Sequence, residues 1–333
     1  MTRNIGNRIG STVANIVVDG GIFNTLQHYW FTKTNRLLSY TFSSSGESLS
    51  IPATTDGYNY AIFTGAGSFT LTGTGANVEY MIVAGGGAGG SNAYNFEGSG
   101  GGGAGGFRTG IVFCRAGDYT ISVGAGGPYY NNGTPSYISG PASFTTIESA
   151  GGGKGGGNGP SASSPIYLTS SGGSGGGGSS QNDITYRAGK SGNSPPVSPP
   201  QGNAGGSGST PTAAGGGGGG AASSGNPGSV SSLQSDGGNG RSAFDDTTTI
   251  PPSYGTPGPG AGRYFAGGGG GGSYPSSNNL GDGGYGGGGS GGKPGYAATN
   301  GTGGTGGGGG GVPSSTVGKS GGSGIIIVRV LEL

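Results

Sequence analysis

Six small residues at positions 85–90, with the sequence GGGAGG, come closest to a known chemical motif, because they fit the dinucleotide-binding pattern G-x-G-x-x-G. In that motif the glycines join a strand to a helix, whose N-terminal amides bind the pyrophosphate. Here an apolar, strand-like stretch precedes the glycines, but the sequence after them has no helical apolar period. Glu97 also comes too early for the ribose-binding acid expected about 20 residues later. Since 92 glycines produce such matches by chance, we predict no bound nucleotide.

Other groups that could carry catalysis are few and scattered. His28 is the only histidine and lies far in sequence from the polar loops of the glycine-rich part, so no Ser-His-Asp triad can be assembled there. Cys114 falls within an apolar stretch and is predicted to be a packed thiol. A carboxylate pair such as Asp183 with Asp282 could serve a glycosidase, but nothing in the sequence favours it. Because zinc and calcium motifs are also absent, we predict a non-enzymatic protein without cofactor or metal.

The composition is dominated by glycine and proline, which number 92 and 19 among 333 residues. The glycines cluster in runs and do not recur at every third position, which excludes collagen. Charged residues make up 8% and the net charge is +1, which argues against charge-driven disorder and against nucleic-acid binding. No signal-like or membrane-length apolar stretch occurs, and the single cysteine rules out an intrachain disulfide. We therefore expect synthesis in a cytoplasm without export.

Strands are predicted on both sides of the glycine-rich region. Three lie between residues 41 and 84, where apolar and polar residues alternate and glycine-containing turns separate the stretches. The sequence IIIV at 325–328 is apolar without alternation, as is YMIV at 80–83, which indicates strands covered on both faces. FRTGIVFCR and DYTISVG are predicted to form a hairpin through Ala116-Gly117, and ASFTTIES adds a third strand nearby.

Glycine runs alternate with polar loops from residue 85 to residue 324. One apolar strand leads into this region and another leads out, which a flexible linker would not need. Ordering glycine costs more backbone entropy than ordering other residues, so ordered runs require compensating interactions. Extended left-handed helices with three residues per turn can provide them, because neighbours without side chains approach closely and hydrogen-bond to one another. The sequence therefore favours a slab whose core is made of backbone, with loops emerging at both ends.

Several landmarks occur in a fixed order between about residues 78 and 330, namely EYMIVAGGGAGG, GGGGAGGF, GDYTISVGAGG, ASFTTIESAGGGKGGG and a closing GGSGIIIVRV. Together they resemble the glycine-rich domains of bacteriophage tail proteins, in particular the receptor-binding adhesins on the long tail fibres of T-even-type phages. The resemblance implies a sandwich of polyglycine II helices whose variable distal loops bind receptors on the host surface. Residues 1–40 do not match the attachment domain of those adhesins.

The predicted fold class is mostly irregular and β, a sandwich of packed polyglycine II helices with a few β-strands, preceded by a small β-rich N-terminal region. Four parts follow one another along the chain. Residues 1–40 form an N-terminal attachment segment, 41–84 a small β-rich domain, 85–324 the glycine-rich sandwich and 325–333 the closing C-terminal strand.

Tyrosines and asparagines in the loops are the candidate receptor-binding residues. Tyrosine offers a rigid amphipathic surface and small polar residues offer adaptable hydrogen bonds, although each tyrosine could instead cap the slab and shield its glycines. Counting alternate runs predicts that the loops 91–98, 128–140, 160–171, 209–214, 241–257, 273–280 and 312–320 share the end far from the N-terminal region. The predicted receptor-binding residues are Tyr94, Asn95, Phe96, Tyr129, Tyr130, Asn131, Asn132, Tyr137, Tyr167, Tyr254, Tyr274, Asn278 and Asn279. Tyr29, Trp30 and Phe31 are predicted to attach the chain to another protein.

These inferences favour a phage tail or tail-fibre adhesin that recognises a bacterial surface receptor, either a protein or a glycan, through loops at one end of the sandwich. The alternative is a structural virion spacer or decoration protein without specific receptor binding. Ice binding fits poorly, because these loops are long and irregular. The expected partners are the receptor and, through residues 1–80, another tail or fibre protein, with the chain acting as a monomer or a homo-oligomer. The expected location is the virion, after synthesis in the host cytoplasm without a signal peptide.

Overall fold

The computed structural model describes most of the chain beyond residue 40. The described residues are 15–18, 21–24, 40–51, 57–92, 97–158, 167–180, 187–209, 213–229, 235–244, 250–274, 280–313 and 317–331, with the backbone alone for 15–18, 21–24 and 47–51. This part of the chain contains strands and irregular extended segments but no helix, and therefore no helix that could span a bilayer. The prediction of a mostly irregular and β fold is confirmed.

Twelve strands are present in the described residues. They are β1 (Asn15–Val18), β2 (Gly21–Asn24), β3 (Phe42–Ile51), β4 (Tyr58–Leu71), β5 (Ala76–Val83), β6 (Phe107–Cys114), β7 (Gly117–Ser122), β8 (Ser136–Ser139), β9 (Ile147–Ser149), β10 (Arg241–Ser242), β11 (Tyr264–Phe265) and β12 (Ile325–Leu331). β1 pairs with β2 and β10 with β11, while the other eight strands form one antiparallel sheet. The strands expected between residues 41 and 84 therefore share a sheet with strands from both later parts of the chain.

β12 occupies the middle of this sheet, between β4 and β5. Ile326 lies opposite Phe63 of β4 on one side and opposite Ile82 of β5 on the other. The final strand thus lies beside the strand that leads into the glycine-rich region. One strand enters this region and the other leaves it, as the sequence predicts.

β4 changes partners along its length, so the sheet divides into two halves. Its first part pairs with β12, and residues 67–71 pair with β7. β3 follows the opposite edge of β4, with a bulge between Gly46 and Ser48. The two halves enclose an apolar core to which β4, β5, β7, β8 and β12 all contribute.

A second core covers the other face of the central strands. Alternate residues of β12 point to different cores, since Ile326 and Val328 belong to the first and Ile325 and Ile327 to the second. The second core also contains Phe265 from the glycine-rich region, so it joins the sheet to that region. This arrangement confirms the prediction that the last strand is covered on both faces.

The predicted hairpin between FRTGIVFCR and DYTISVG is wrong. β6 pairs with β5 over eight positions, and β7 pairs with β4 and β8. A turn sequence indicates that the chain reverses, but the partner of each strand is decided by the longer register available elsewhere. Of the stretch ASFTTIES, residues Ile147–Ser149 form the expected strand, β9.

The glycine-rich segments hydrogen-bond to one another with a three-residue period. The amides of Gly100, Gly103 and Gly106 donate to residues 156, 153 and 150 of one neighbouring segment. Those of Gly101 and Ala104 donate to residues 216 and 219 of a second segment. Those of Gly102 and Gly105 donate to residues 309 and 306 of a third. Successive amides therefore point in three different directions, each toward another chain segment.

Most positions in the interior of this array have no room for a side chain. A Cβ atom added at Gly102 would overlap the carbonyl oxygen of Gly87, and one at Gly217 would overlap that of Asp236. The hydrogen bonds between these segments, such as that from Gly102 N to Gly309 O at 2.8 Å, require this close approach. Glycine is needed here because the backbones themselves form the core.

Candidate functional site

The glycine-rich segments have one end at the sheet and one end away from it. At the sheet end, Ala84 follows β5 directly and its amide donates to the carbonyl of Gly106, which precedes β6. At the opposite end, the amides of Ser99 and Ser180 donate to the carbonyls of Val312 and Gly98. We call the second of these the loop end.

Buried polar side chains fix the chain at the loop end. The Asn92 side-chain amide donates to the carbonyls of Glu97 and Val312, at 2.7 and 3.1 Å. The Ser99 hydroxyl donates to the carbonyl of Gly90 at 2.7 Å, and the Ser180 hydroxyl accepts from the amide of Gly98 at 2.8 Å. These bonds hold together segments that are far apart in sequence and provide a rigid base for the loops between them.

The described residues that flank several predicted loops meet at this end. Tyr274 donates from its amide to Ala213 at 3.0 Å, and Gly157 donates to Tyr167 at 2.9 Å. Of the predicted receptor-binding residues, Tyr94, Asn95, Phe96, Asn278 and Asn279 lie outside the described residues, as do the predicted attachment residues Tyr29, Trp30 and Phe31.

Two predictions about the loop ends are wrong. The described parts of the loop 241–257, residues 241–244 and 250–257, lie at the sheet end. There Tyr254 packs against the second core, and its carbonyl accepts from Arg263 Nε at 2.7 Å. The stretch 128–140 begins beside residues 86–88, midway along the glycine segments, and ends in β8, which contains Tyr137. Counting alternate runs failed because segments with few consecutive glycines, such as 187–193, also cross the array.

Tyr130, Asn131 and Asn132 nevertheless line one cavity, on the flank of the array below the loop end. Lys154 and Ser170 complete its lining. Its volume is about 330 Å³, near the lower end of the range of small-molecule pockets. The Tyr130 ring packs edge-on against Tyr167, with ring centroids 6.0 Å apart and planes at 90°. The structure therefore brings together residues from two of the predicted loops.

The turn that presents Tyr130 has an unusual backbone conformation. The Asn131 amide donates to the Pro128 carbonyl at 3.0 Å, which closes a four-residue turn. Tyr130 is the third residue of this turn and has a φ of 66°, in the left-handed region where glycine or asparagine is favoured. The preceding Tyr129 is 53% exposed. Such conformations in bulky residues are often found where function requires them.

Cationic residues flank this cavity. The Lys154 amide donates to Asn132 Oδ1 at 3.0 Å, which ties the two sides of the cavity together. Burial lowers the pKa of the Lys154 ammonium below its ordinary value of 10.5. Burial also lowers the pKa of Arg187, and the negative charge of Glu97 partly offsets this lowering. Arg187 Nη1 donates to the Tyr167 carbonyl at 3.1 Å. The cavity thus combines aromatic faces, amide donors and acceptors, and positive charge, which suits binding.

Lys154 and Ser170 were not among the residues expected from the sequence. Both belong to segments that pack beside the tyrosine turn, and only the antiparallel register of these segments brings them there: Ser170 N donates to Lys154 O at 3.1 Å. The one sequence signal is that Lys154 interrupts a glycine run, GGGKGGG, where a side chain can only point outward.

Of the groups considered for catalysis, His28 and Asp183 lie outside the described residues, whereas Cys114 is described. Cys114 is fully buried in the first core, and burial raises the pKa of its thiol to about 11, which a hydrogen bond with Tyr119 only partly counteracts. Among the described residues, no three His, Cys, Asp or Glu side chains come together in the way that a metal site requires.

Comparison with known families identifies most of this chain. No curated protein sequence matches it significantly. A family model described as a glycine-rich domain matches residues 62–331, from within β4 to the end of β12. Because this match covers far more than half of the 333 residues, the chain belongs to the family of glycine-rich domains.

Proposed function

We propose that this protein is a phage tail or tail-fibre adhesin, which recognises a bacterial surface receptor through the Tyr130 cavity and the loop end. In this proposal the glycine-rich segments are polyglycine II helices packed as a sandwich. The three-residue period of their hydrogen bonds supports this, because a helix with three residues per turn directs successive amides toward three different neighbours.

The observation that carries the binding role is the contact between the Tyr130 and Tyr167 rings beside an open polar cavity. Tyrosine and asparagine residues on a rigid base are typical of binding surfaces, where rigid rings provide contact area and amides provide adaptable hydrogen bonds. A spacer protein has no need of a tyrosine in a left-handed turn, a conformation that costs about 1–2 kcal/mol.

The remaining parts of the proposal concern partners and location. Residues 1–80 attach the chain to another tail or fibre protein, and the receptor is a protein or a glycan of the bacterial surface. The location is the virion. The support for these parts is the order of sequence landmarks shared with phage adhesins, together with membership of the glycine-rich domain family.

The test is binding of the purified full-length chain to intact bacteria and to isolated envelopes from a panel of species. For a species that binds the parent, Tyr129→Ala and Asn132→Ala should each weaken binding, by up to about thirtyfold where the side chain is an interface anchor. Ile111→Ala is the control, since Ile111 is 67% exposed on β6, at the sheet.

All variants are compared at matched melting temperature. If no species binds the parent, or if Tyr129→Ala, Asn132→Ala and Ile111→Ala all bind as the parent does, the adhesin proposal fails and the spacer becomes the better reading. Weakened binding by Ile111→Ala alone would instead move the receptor-binding surface to the sheet.

A further inference from the structure

A second cavity lies on the opposite flank of the glycine-rich array. Its volume is about 440 Å³, and its lining includes side chains from three neighbouring segments. The side chains that matter for recognition are Ser223, Asn226, Asp236, Asn239, Asp282 and Tyr285. We call this cavity the lateral groove.

The lateral groove is a consequence of the three-residue period. Its side chains occur in pairs separated by three positions: Ser223 with Asn226, Asp236 with Asn239, and Asp282 with Tyr285. In a segment with three residues per turn, such residues lie on the same side. Each outer segment therefore presents a row of side chains to the groove while its glycines face the array.

Hydrogen bonds to the backbone fix the orientation of these side chains. Asp236 Oδ1 accepts from the Asp282 amide at 2.8 Å, and Asn239 Oδ1 accepts from the Tyr285 amide at 3.3 Å. Ser223 Oγ accepts from the Asn239 amide at 2.9 Å. Carboxylate, carboxamide and hydroxyl groups each have further donor or acceptor capacity beyond one such bond. The groove is thus preorganised and can still bind a polar ligand.

We propose that the lateral groove binds a neutral saccharide of one or two rings. A sugar has an edge of hydroxyls, which both donate and accept, and a face of C–H groups. The groove offers carboxylate acceptors, amide donors and the ring of Tyr285, which is 51% exposed. Tyrosine combines an apolar ring face with a polar tip, which suits both parts of a sugar.

Other ligand classes fit the groove less well. No lysine or arginine lines it, and two aspartates would repel an anion. An apolar ligand would exclude water from the Asp236 carboxylate, which needs more hydrogen bonds than the one from the Asp282 amide. A tightly held metal ion would need a larger cluster of ligands than the described residues bring together.

The groove is separate from the Tyr130 cavity, so this inference goes beyond the proposed function and does not depend on it. Two segments lie between them. The first segment, 172–178, hydrogen-bonds to 151–156 on the side of the Tyr130 cavity. The second segment, 215–221, hydrogen-bonds to 175–178 and, on its other side, to Ser223 and Asn226, which line the groove.

The test is saturation-transfer NMR on the purified full-length chain with the methyl glycosides of glucose, galactose and N-acetylglucosamine. At least one should receive saturation from the protein, and its affinity should fall by about tenfold or more in Tyr285→Ala and in Asp282→Ala. Tyr296→Ala is the matched control. Tyr296 is 61% exposed, and it lies in a turn closed by mutual backbone hydrogen bonds with Lys293, away from the groove.

Melting temperatures show whether each variant keeps its fold, and only variants that melt within a few degrees of the parent are compared. Absence of transfer to all three glycosides at tens of millimolar would overturn the proposal. Equal affinity of the parent and Tyr285→Ala would also overturn it, as would binding that disappears on chelation of divalent cations, since the proposed contacts are direct.

Discussion

The guanidinium of Arg329 pairs with the carboxylate of Glu79, at 2.6 Å from Nη2 to Oε2. The two residues are directly opposite each other on β12 and β5. The guanidinium also lies over the rings of Tyr58 and Phe244, at 4.2 and 4.3 Å from their centroids. Since Phe244 belongs to the glycine-rich region, this one cation links the central strands to that region.

Replacement of Glu79 should therefore destabilise the fold. Glu79→Gln leaves the largely buried Arg329 without its counter-ion, which typically costs about 3–5 kcal/mol. Chemical denaturation gives the free energy of unfolding. Glu148→Gln is the control, because Glu148 is exposed on β9 and surface changes usually stay within about 0.5 kcal/mol. Equal decreases in the free energy of unfolding of the two variants would show that the ion pair does not stabilise the fold.

A methyl group in the array should be far more disruptive than one at its edge. Gly217→Ala would overlap the Asp236 carbonyl and force apart segments held by backbone hydrogen bonds, with an expected loss of about 3 kcal/mol or more. Gly303→Ala has room, since the nearest atom to the added Cβ is Ser323 Oγ at 3.7 Å. It should change stability by less than about 1 kcal/mol. Melting temperatures that agree for both variants would exclude a core made of backbone.

The stability of the protein should fall in alkali through Cys114. The thiol ordinarily ionises at 9.0, whereas burial in the folded state raises its pKa to about 11. Between these values the unfolded state has lost the proton that the folded state keeps, so stability decreases as the pH rises. The loss attributable to the thiol is roughly 2–3 kcal/mol.

Denaturant titrations between pH 8 and pH 11 measure this effect against Cys114→Ala, which lacks the thiol but keeps Tyr119, whose pKa burial also raises, to about 12. The slope with pH should be shallower in the variant. In addition, iodoacetamide at pH 8 should modify Cys114 only after unfolding. Rapid modification of the folded protein would contradict the buried setting of the thiol.

The left-handed conformation of Tyr130 can be tested without knowing the receptor. Tyr130→Gly and Tyr130→Ala remove the same ring, but only glycine adopts a φ near 66° without strain. The glycine variant should be the more stable by about 1 kcal/mol. Unfolding free energies of the pair decide this, and greater stability of the alanine variant would mean that the turn is not left-handed in solution.

Much of the sheet could be predicted from the sequence, and the reasons are local. The alternation of apolar and polar residues identified β3 and β4. The uniformly apolar sequence Ile325–Val328 indicated a strand that is covered on both faces. The partner of β6 could not be predicted, because its pairing with β5 rather than β7 depends on long-range register.

The loops were harder to assign than the strands. Backbone groups make the hydrogen bonds of the array, so a segment can cross it with few glycines if its side chains point outward, as Arg187 and Lys190 show. Such segments have no clear sequence signal. The residue types of the Tyr130 cavity were therefore foreseen, but Lys154 and Ser170, which depend on segment register, were not.

The central position of β12 has a consequence for biosynthesis. β12 follows β5 by about 240 residues in the chain, and a ribosome adds roughly 5–20 residues per second, so about 10–50 s separate the synthesis of these neighbours. During that time β4 and β5 have no strand between them. Their apolar side chains cannot yet pack against the β12 side chains that belong to each core. We expect the nascent chain to need protection from aggregation over this interval, and its yield to depend on chaperones and on the temperature of expression.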